Sequence, residues 1–356
     1  MPFYLSRPIL VLAAVVFLAV PAGAATVHVA NNGVDGPTCG TKTAPCRSIT
    51  AAVGLPTTVA GDRIVVGPGR YGDLDGDGVL GEPGEETPAS GCGCMLAINK
   101  AVEVESSEGA AATLIDGRKV GFPTTVLLIM TGGHFGKPGK GFMVTRTLVP
   151  NGTGIAIDSI DISVRGNQII ATMPDFPAPA DEFRGIGILT VAANETIAIE
   201  GNQVIGWFVG IQTEGVGNAV RKNAFAMNNT GVRSTQGAII GNVAVGNFFG
   251  FDIRDGVTEV VGNSAYGNRL DGFVFDAGSD KNFEGTFTKN NMAGNGAVAA
   301  FNCGALGGET TLVADGNYWG SPLGPGPDPA DLYCALDPAL GTFATKPFKV
   351  TVSIKP

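Results

Sequence analysis

Charge is scarce in this sequence. Only 15% of its 356 residues are charged and 7% are aromatic, where a globular chain carries about 25% charged residues. Yet 44% of the residues are hydrophobic, which excludes intrinsic disorder, since disorder needs low hydrophobicity and high charge together. Histidine is almost missing: His28 and His134 are the only two, so a general base over most of the chain would have to be Asp, Glu, Lys or Arg. Beyond the N-terminal segment no stretch reaches the ~20 apolar residues of a membrane span, so no stable span is expected. The formal net charge of -9 repels polyanions at long range. It speaks against nucleic acid and, more weakly, against a broad grip on acidic polysaccharide, while leaving room for one local basic cleft.

Glycine is what the chain has in excess. There are 54, about double the usual share of ~7%. They do not recur at every third position, which excludes collagen. A helix-rich fold is excluded as well, because each interior glycine costs about 1 kcal/mol of helix stability. Many short strands joined by tight turns fit the composition. At the N-terminus Arg7, the apolar run Ile9 to Val20 and the Ala22-Gly23-Ala24 site have the layout of a secretory signal cleaved after Ala24. Residues 1–24 are therefore read as a signal peptide and the mature chain as secreted, periplasmic or extracellular. In such a compartment six cysteines point to disulfides, of which fifteen pairings are possible. Spacing favours Cys39 with Cys46 and Cys303 with Cys334, leaving Cys92 with Cys94 by elimination.

An internal repeat runs from residue 150 to 322. Asn167, Asn202, Asn223, Asn242, Asn263, Asn290 and Asn317 recur at spacings of 35, 21, 19, 21, 27 and 27. An apolar residue stands three before each of the first six: Val164, Ile199, Val220, Ile239, Val260 and Phe287. Two residues after each Asn stand Ile169, Val204, Phe225, Ala244, Ala265 and Met292. Between them lies a second element, a glycine (Gly154, Gly187, Gly210, Gly231, Gly250, Gly272) leading an alternating strand. Period two places Ile211, Val232, Phe251 and Phe273 inward. A unit of about 21 residues cannot bury its own apolar face, whereas copies stacked in register can, which predicts a solenoid. Stacking sets each Asn under the next, so that their amides hydrogen-bond along the stack. The glycines are expected at turn positions of positive φ. The longest spacing is read as a Pro-rich loop from Met173 to Glu182.

With the repeat in view, further segments carry a resemblance. Val27 to Asp35, Pro45 to Val53 and Gly61 to Tyr71, then Thr113 to Gly117, Gly141 to Thr145 and Asn317 to Gly320, make the chain similar over residues 26 to 322 to the right-handed parallel β-helix proteins of the pectate-lyase-like superfamily. The resemblance implies an all-β, right-handed, single-stranded parallel β-helix of about ten rungs, opened by a first strand and an N-terminal cap helix, with sugar bound on a sheet face. The Gly-His-Gly signature of polygalacturonases and the Asp-His strand of pectate lyases are both missing, which counts against those two activities. The β-helix domain is placed at 25–322, with an inserted acidic and Cys-containing loop at 72–96 and a capping tail at 323–356. Val350 to Ile354 is read as one last strand.

Two clusters carry candidate chemistry. Asp73, Asp75 and Asp77 with Gly78 match the opening of an EF-hand loop, in which alternate carboxylates converge on calcium. Position 12 is Gly84 rather than Glu, and Glu82, Glu85 or Glu86 would close the sphere. The other description of this stretch is a solvated acidic loop. No organic cofactor is expected. The outward positions of the Gly-led strands align Gln212, Arg233 and Asp252, and beside them Glu214, Thr235, Arg254 and Asp276. Asp252 and Asp276 would stand one rung and two residues apart, about 8 Å along the backbone diagonal, within the roughly 6.5–9.5 Å of inverting glycosidases. Arg233 and Arg254 would orient substrate, with Gln212, Glu214 and Thr235 contacting it. The same residues equally describe an exposed ion-pair ladder with no role beyond protecting the sheet. The Gly132–Gly141 stretch around His134 is read as a flexible turn, and Trp207 and Trp319 as end packing rather than sugar platforms. Three functions fit: a carbohydrate-recognising exported monomer, a polysaccharide lyase or glycoside hydrolase using Asp252 and Asp276, or a non-catalytic surface adhesin or spacer.

Overall fold

The computed structural model describes residues 23–122, 124–171, 185–191, 196–254, 256–276, 285–296, 301–302, 315–326 and 346. The signal segment, the Met173–Glu182 loop, Cys303, Cys334 and the Val350–Ile354 stretch lie outside them. Among the described residues the chain forms three sheets whose strands are all paired in parallel. Sheet A has ten strands, from Thr26–Val29 to Thr286–Thr288; sheet B has nine, from Gly69–Gly72 to Asn291–Ala293; sheet C has nine, from Cys94–Ile98 to Phe301–Asn302. Thr26–Val29 pairs with the next strand, Arg63–Val66, in sheet A; from Arg63–Val66 onward successive strands step from A to B to C and pair with the strand three further on. This is a right-handed parallel β-helix, the hand that right-twisted parallel crossovers adopt. No helix among the described residues is long and apolar enough to cross a membrane.

The apolar residues fixed by the repeat form continuous columns inside the coil. Val164, Ile199, Val220, Ile239, Val260 and Phe287 line sheet A, while Ile169, Val204, Phe225, Ala244, Ala265 and Met292 line sheet B, none more than 1% exposed. Sheet C supplies Ile188, Ile211, Val232, Phe251 and Phe273, all fully buried. Volumes compensate between sheets: the two alanines of sheet B occur in the coils that carry Phe251 and Phe273, whose rings stack at 4.7 Å. Trp207 and Trp319 are fully buried, and the Trp207 indole donates to the Ile169 carbonyl at 3.0 Å, so both act in packing.

All seven repeat asparagines stand in one buried ladder. The N–H and Nδ2 of Asn223 both donate to Oδ1 of Asn242, at 2.9 and 3.1 Å, and Nδ2 also donates to the Ile199 carbonyl one rung back, at 2.9 Å. The same pattern joins Asn167 to Asn202, and Asn290 to Asn317. A second ladder, Asn228, Asn247, Asn268 and Asn295, runs five residues later in each coil with the same geometry. The sheet B strands Ala224–Ala226, Val243–Val245, Ser264–Tyr266 and Asn291–Ala293 are thus bracketed by amide ladders at both ends, which satisfy the buried backbone of two corners.

The glycines divide into two kinds, which corrects their expected common role. Those just before the ladder asparagines (Gly166, Gly201, Gly241, Gly262, Gly316) have φ of 66 to 70°, with Lys222 and Lys289 filling the same slot at 53 and 58°. Those leading the sheet C strands are not in the left-handed region. Their constraint is steric: a Cβ on Gly187, Gly210 or Gly231 would lie 2.5 Å from the carbonyl oxygen of the equivalent glycine on the next rung.

A six-residue helix, Ile49–Gly54, is N-capped by Ser48, whose side chain accepts from Ala51 N–H at 3.1 Å. It packs on the strands Thr26–Val29, Arg63–Val66 and Cys94–Ile98 at the N-terminal end of the coil. Disulfides join Cys39 to Cys46 and Cys92 to Cys94.

Candidate functional site

One register position of sheet C runs from Ala97 to Asn302 over all nine strands, and its outward strip on the seven middle rungs is Leu128, Ala156, Leu189, Gln212, Arg233, Asp252 and Val274. Within this strip the polar residues Gln212, Arg233 and Asp252 are flanked by Leu189 on one side and Val274 on the other. Glu214 and Thr235 follow the strand ends two positions on, and Arg254 pairs in register with Asp276. The Asp276 side chain lies outside the described atoms, so only its backbone place is fixed. Asp252, 8% exposed, is held between two arginines: Arg233 Nε donates to its Oδ2 at 2.7 Å, and Arg254 donates from Nη2 to Oδ2 and from Nε to Oδ1, both at 3.3 Å. Gln212 donates to Glu214 at 3.4 Å. The strip therefore joins Gln212, Arg233, Asp252 and Arg254 into one surface. Its carboxylate is already neutralised from both sides, which suits binding and orientation better than proton abstraction.

A second place lies on sheet A and was not anticipated, because the glycine-rich surroundings of His134 suggested a turn. Gly133–Phe135 is instead a strand: Phe135 is buried in the core while His134 faces outward. Register sets Glu103, His134 and Ser163 side by side on three successive rungs. His134 Nδ1 and Ser163 Oγ are 2.6 Å apart. These residues line a hollow of about 170 Å³ together with Glu105, Lys137 and Arg165. Glu105, 2% exposed, is paired with Arg63, Lys137 and Lys140. Burial pushes its carboxyl up, but hydrogen bonds from Lys137 and Arg63 outweigh this and hold it below the usual range. The signal open to a sequence reader was the alternation Gly-His-Phe in phase with the strands that flank it.

The third place is the loop between the strands Gly69–Gly72 and Cys94–Ile98, the second of which begins inside the expected 72–96 insert. Carboxylate oxygens of Asp73, Asp75 and Glu85 lie within 4.8 Å of one another, as do those of Asp75, Asp77 and Glu82. Charge on Asp75 and then Asp77 raises the Glu82 pKa. Glu86 faces away from this cluster. It accepts from Ile49 N–H and Thr50 N–H, both at 2.8 Å, and from the Thr50 hydroxyl at 2.5 Å, and its burial pushes its pKa up.

No known family and no curated protein matches the sequence. Among solved structures the chain is similar to pectate lyase Pel9A, at 14% identity over 79% of this chain and 80% of that one, with a TM-score of 0.48. It is similar to the pectin methylesterase of Aspergillus niger at 9% identity, over 91% and 93% of the two chains, TM-score 0.38. Pectin methylesterase PemA of Erwinia chrysanthemi matches at 11% identity over 87% and 75%, TM-score 0.32. The parallel register of the chain's own three sheets is what makes it a β-helix.

Proposed function

We propose that this is an exported protein that recognises carbohydrate on the outer face of sheet C. One observation carries the reading: the seven-rung strip from Leu128 to Val274, polar at Gln212, Arg233 and Asp252 and flanked there by Leu189 and Val274. At ~4.8 Å per rung the strip is about 30 Å long, a length that suits an extended polymer. Fixed guanidinium, amide and carboxylate groups offer planar donors and acceptors to hydroxyls, and Leu189 and Val274 offer apolar contact to ring faces. Two disulfides support export, since such bonds persist in oxidising compartments.

The second reading is glycan cleavage by Asp252 and Asp276. Its specific support is their placement one rung and two positions apart. Against it, both oxygens of Asp252 are engaged by Arg233 and Arg254. A glycan array followed by product analysis separates the two. Binding without product, weakened at least tenfold in Arg233→Ala at unchanged melting temperature, supports recognition. Product formation lost in Asp252→Asn would replace it with the enzyme. Absence of both leaves the solenoid as a spacer.

A further inference from the structure

The acidic loop holds a buried carboxylate oxygen, Glu85 Oε2, with no hydrogen-bond partner. Asp73 is fully buried, and its two oxygens accept N–H groups of Gly76 at 2.6 Å and Gly78 at 2.8 Å. Asp75 accepts from Asp77 N–H at 3.0 Å, and Asp77 from Val79 N–H at 2.7 Å. These bonds curl the backbone so that Asp75 is shared by two groups of oxygens, each within 4.8 Å of one another: one with Asp73 and Glu85, the other with Asp77 and Glu82. Each carboxylate has lone pairs to spare. Glu85 reaches Asp73 and Asp75 from the far end of the loop. It is only 4% exposed; Oε1 accepts from Leu74 N–H at 2.6 Å, while Oε2 is buried with no hydrogen-bond donor. None of Asp73, Asp75, Asp77, Glu82 and Glu85 has a lysine or arginine within ion-pair distance among the described residues. The neighbouring Arg70 and Arg118 are turned to Asp116, at 2.8 and 2.9 Å. An ionised oxygen withdrawn from water and left unpaired is strongly unfavourable, and five like charges around one loop add to it.

We infer that Asp73, Asp75, Asp77, Glu82 and Glu85 form a calcium site that clamps this loop to the N-terminal end of the coil. The donors are all oxygen, which selects a hard cation, and their number and open spacing suit the 6–8 flexible ligands of calcium rather than the tight octahedron of magnesium. The EF-hand-like start is kept, and Glu85 takes over from position 12, where Gly84 stands. The clamp is coupled to the fold through the adjacent residue. Glu86 holds the first two N–H groups of the helix Ile49–Gly54, so fixing Glu85 also fixes the anchor of that helix.

The test uses the mature full-length protein, stripped with EGTA and exchanged into chelator-free buffer. Calorimetric titration with calcium chloride is expected to show one ion per chain, with a rise in melting temperature and a weaker response to magnesium chloride. Asp75→Asn, at an exposed position, is expected to lower calcium affinity at least tenfold. Glu85→Gln is expected to melt no lower than the parent in EGTA, since it removes a buried unpartnered charge, and lower than the parent in calcium. The site is overturned if the parent takes up no calcium, or if both variants take it up as the parent does.

Discussion

At the scale of single residues, the glycines show how one residue type answers two different constraints. Gly241 sits at φ 66° with only the Lys222 side chain, 3.7 Å away, near the place of a Cβ. Gly241→Ala is expected to cost about 1 kcal/mol, the left-handed penalty alone. Lys289 already carries that penalty at φ 58°, so Lys289→Gly is expected to gain about 0.5 kcal/mol after the added chain entropy. Gly210→Ala meets the Gly231 carbonyl oxygen instead and should cost more, about 1–3 kcal/mol as an overpacked site. Urea denaturation of the three variants would establish the order. Asp116 belongs to this scale too. Burial pushes its carboxyl up, but hydrogen bonds and charge from Arg118, with Arg70, outweigh it and leave the pKa lowered. A lowered folded pKa stabilises above the unfolded value of ~3.9 and is lost as pH falls through the folded one. Asp116→Asn is therefore expected to flatten the loss of stability on acidification below about pH 4, measured as melting temperature against pH.

At the scale of elements, the two asparagine ladders are what the last four strands of sheet B, each three residues long, depend on. Such strands have few ladder bonds of their own, and the corners on either side bury backbone groups that side-chain amides must satisfy. Asn242→Ala would orphan the Asn223 N–H and take one acceptor from the Asn223 Nδ2, which keeps the Ile199 carbonyl. It would also remove the side-chain donor from the Val220 carbonyl and from Asn263 Oδ1, which keeps the backbone N–H of residue 242. The expected loss is on the order of 3 kcal/mol, read from equilibrium unfolding. The first ladder was legible, because its asparagines follow an apolar residue at a constant offset. The second is equally present in the sequence, as Asn five residues after Asn in four successive coils.

At the scale of the whole molecule, a coil contacts only its neighbours, so stability is close to a sum over rungs. Deleting residues 223–241 removes one coil of 19 residues and joins Lys222 to Asn242, restoring the apolar, basic, Asn order of the repeat. The shortened chain is expected to retain a β-type circular dichroism spectrum and to melt cooperatively at a lower temperature. Loss of the fold would show that coils are not interchangeable. The arginine-flanked strip depends on the same stacking, because Arg233, Asp252 and Arg254 come from two consecutive coils.

The sequence by itself determined the coil, its core columns and its first amide ladder, because each is a local pattern repeated at nearly constant spacing and stacking merely multiplies it. It also marked Asp73, Asp75 and Asp77, which are near neighbours in the chain. Only the tertiary structure decided what meets across coils of unequal length. It set Glu103, His134 and Ser163 in one row, turned Glu86 to the helix and Glu85 to the acidic loop, and seated Asp252 between two arginines. The reason is physical: a period of two fixes the face on which a side chain lies, while its partner on the next rung depends on the length of the intervening turns and on the rotamer the packing allows.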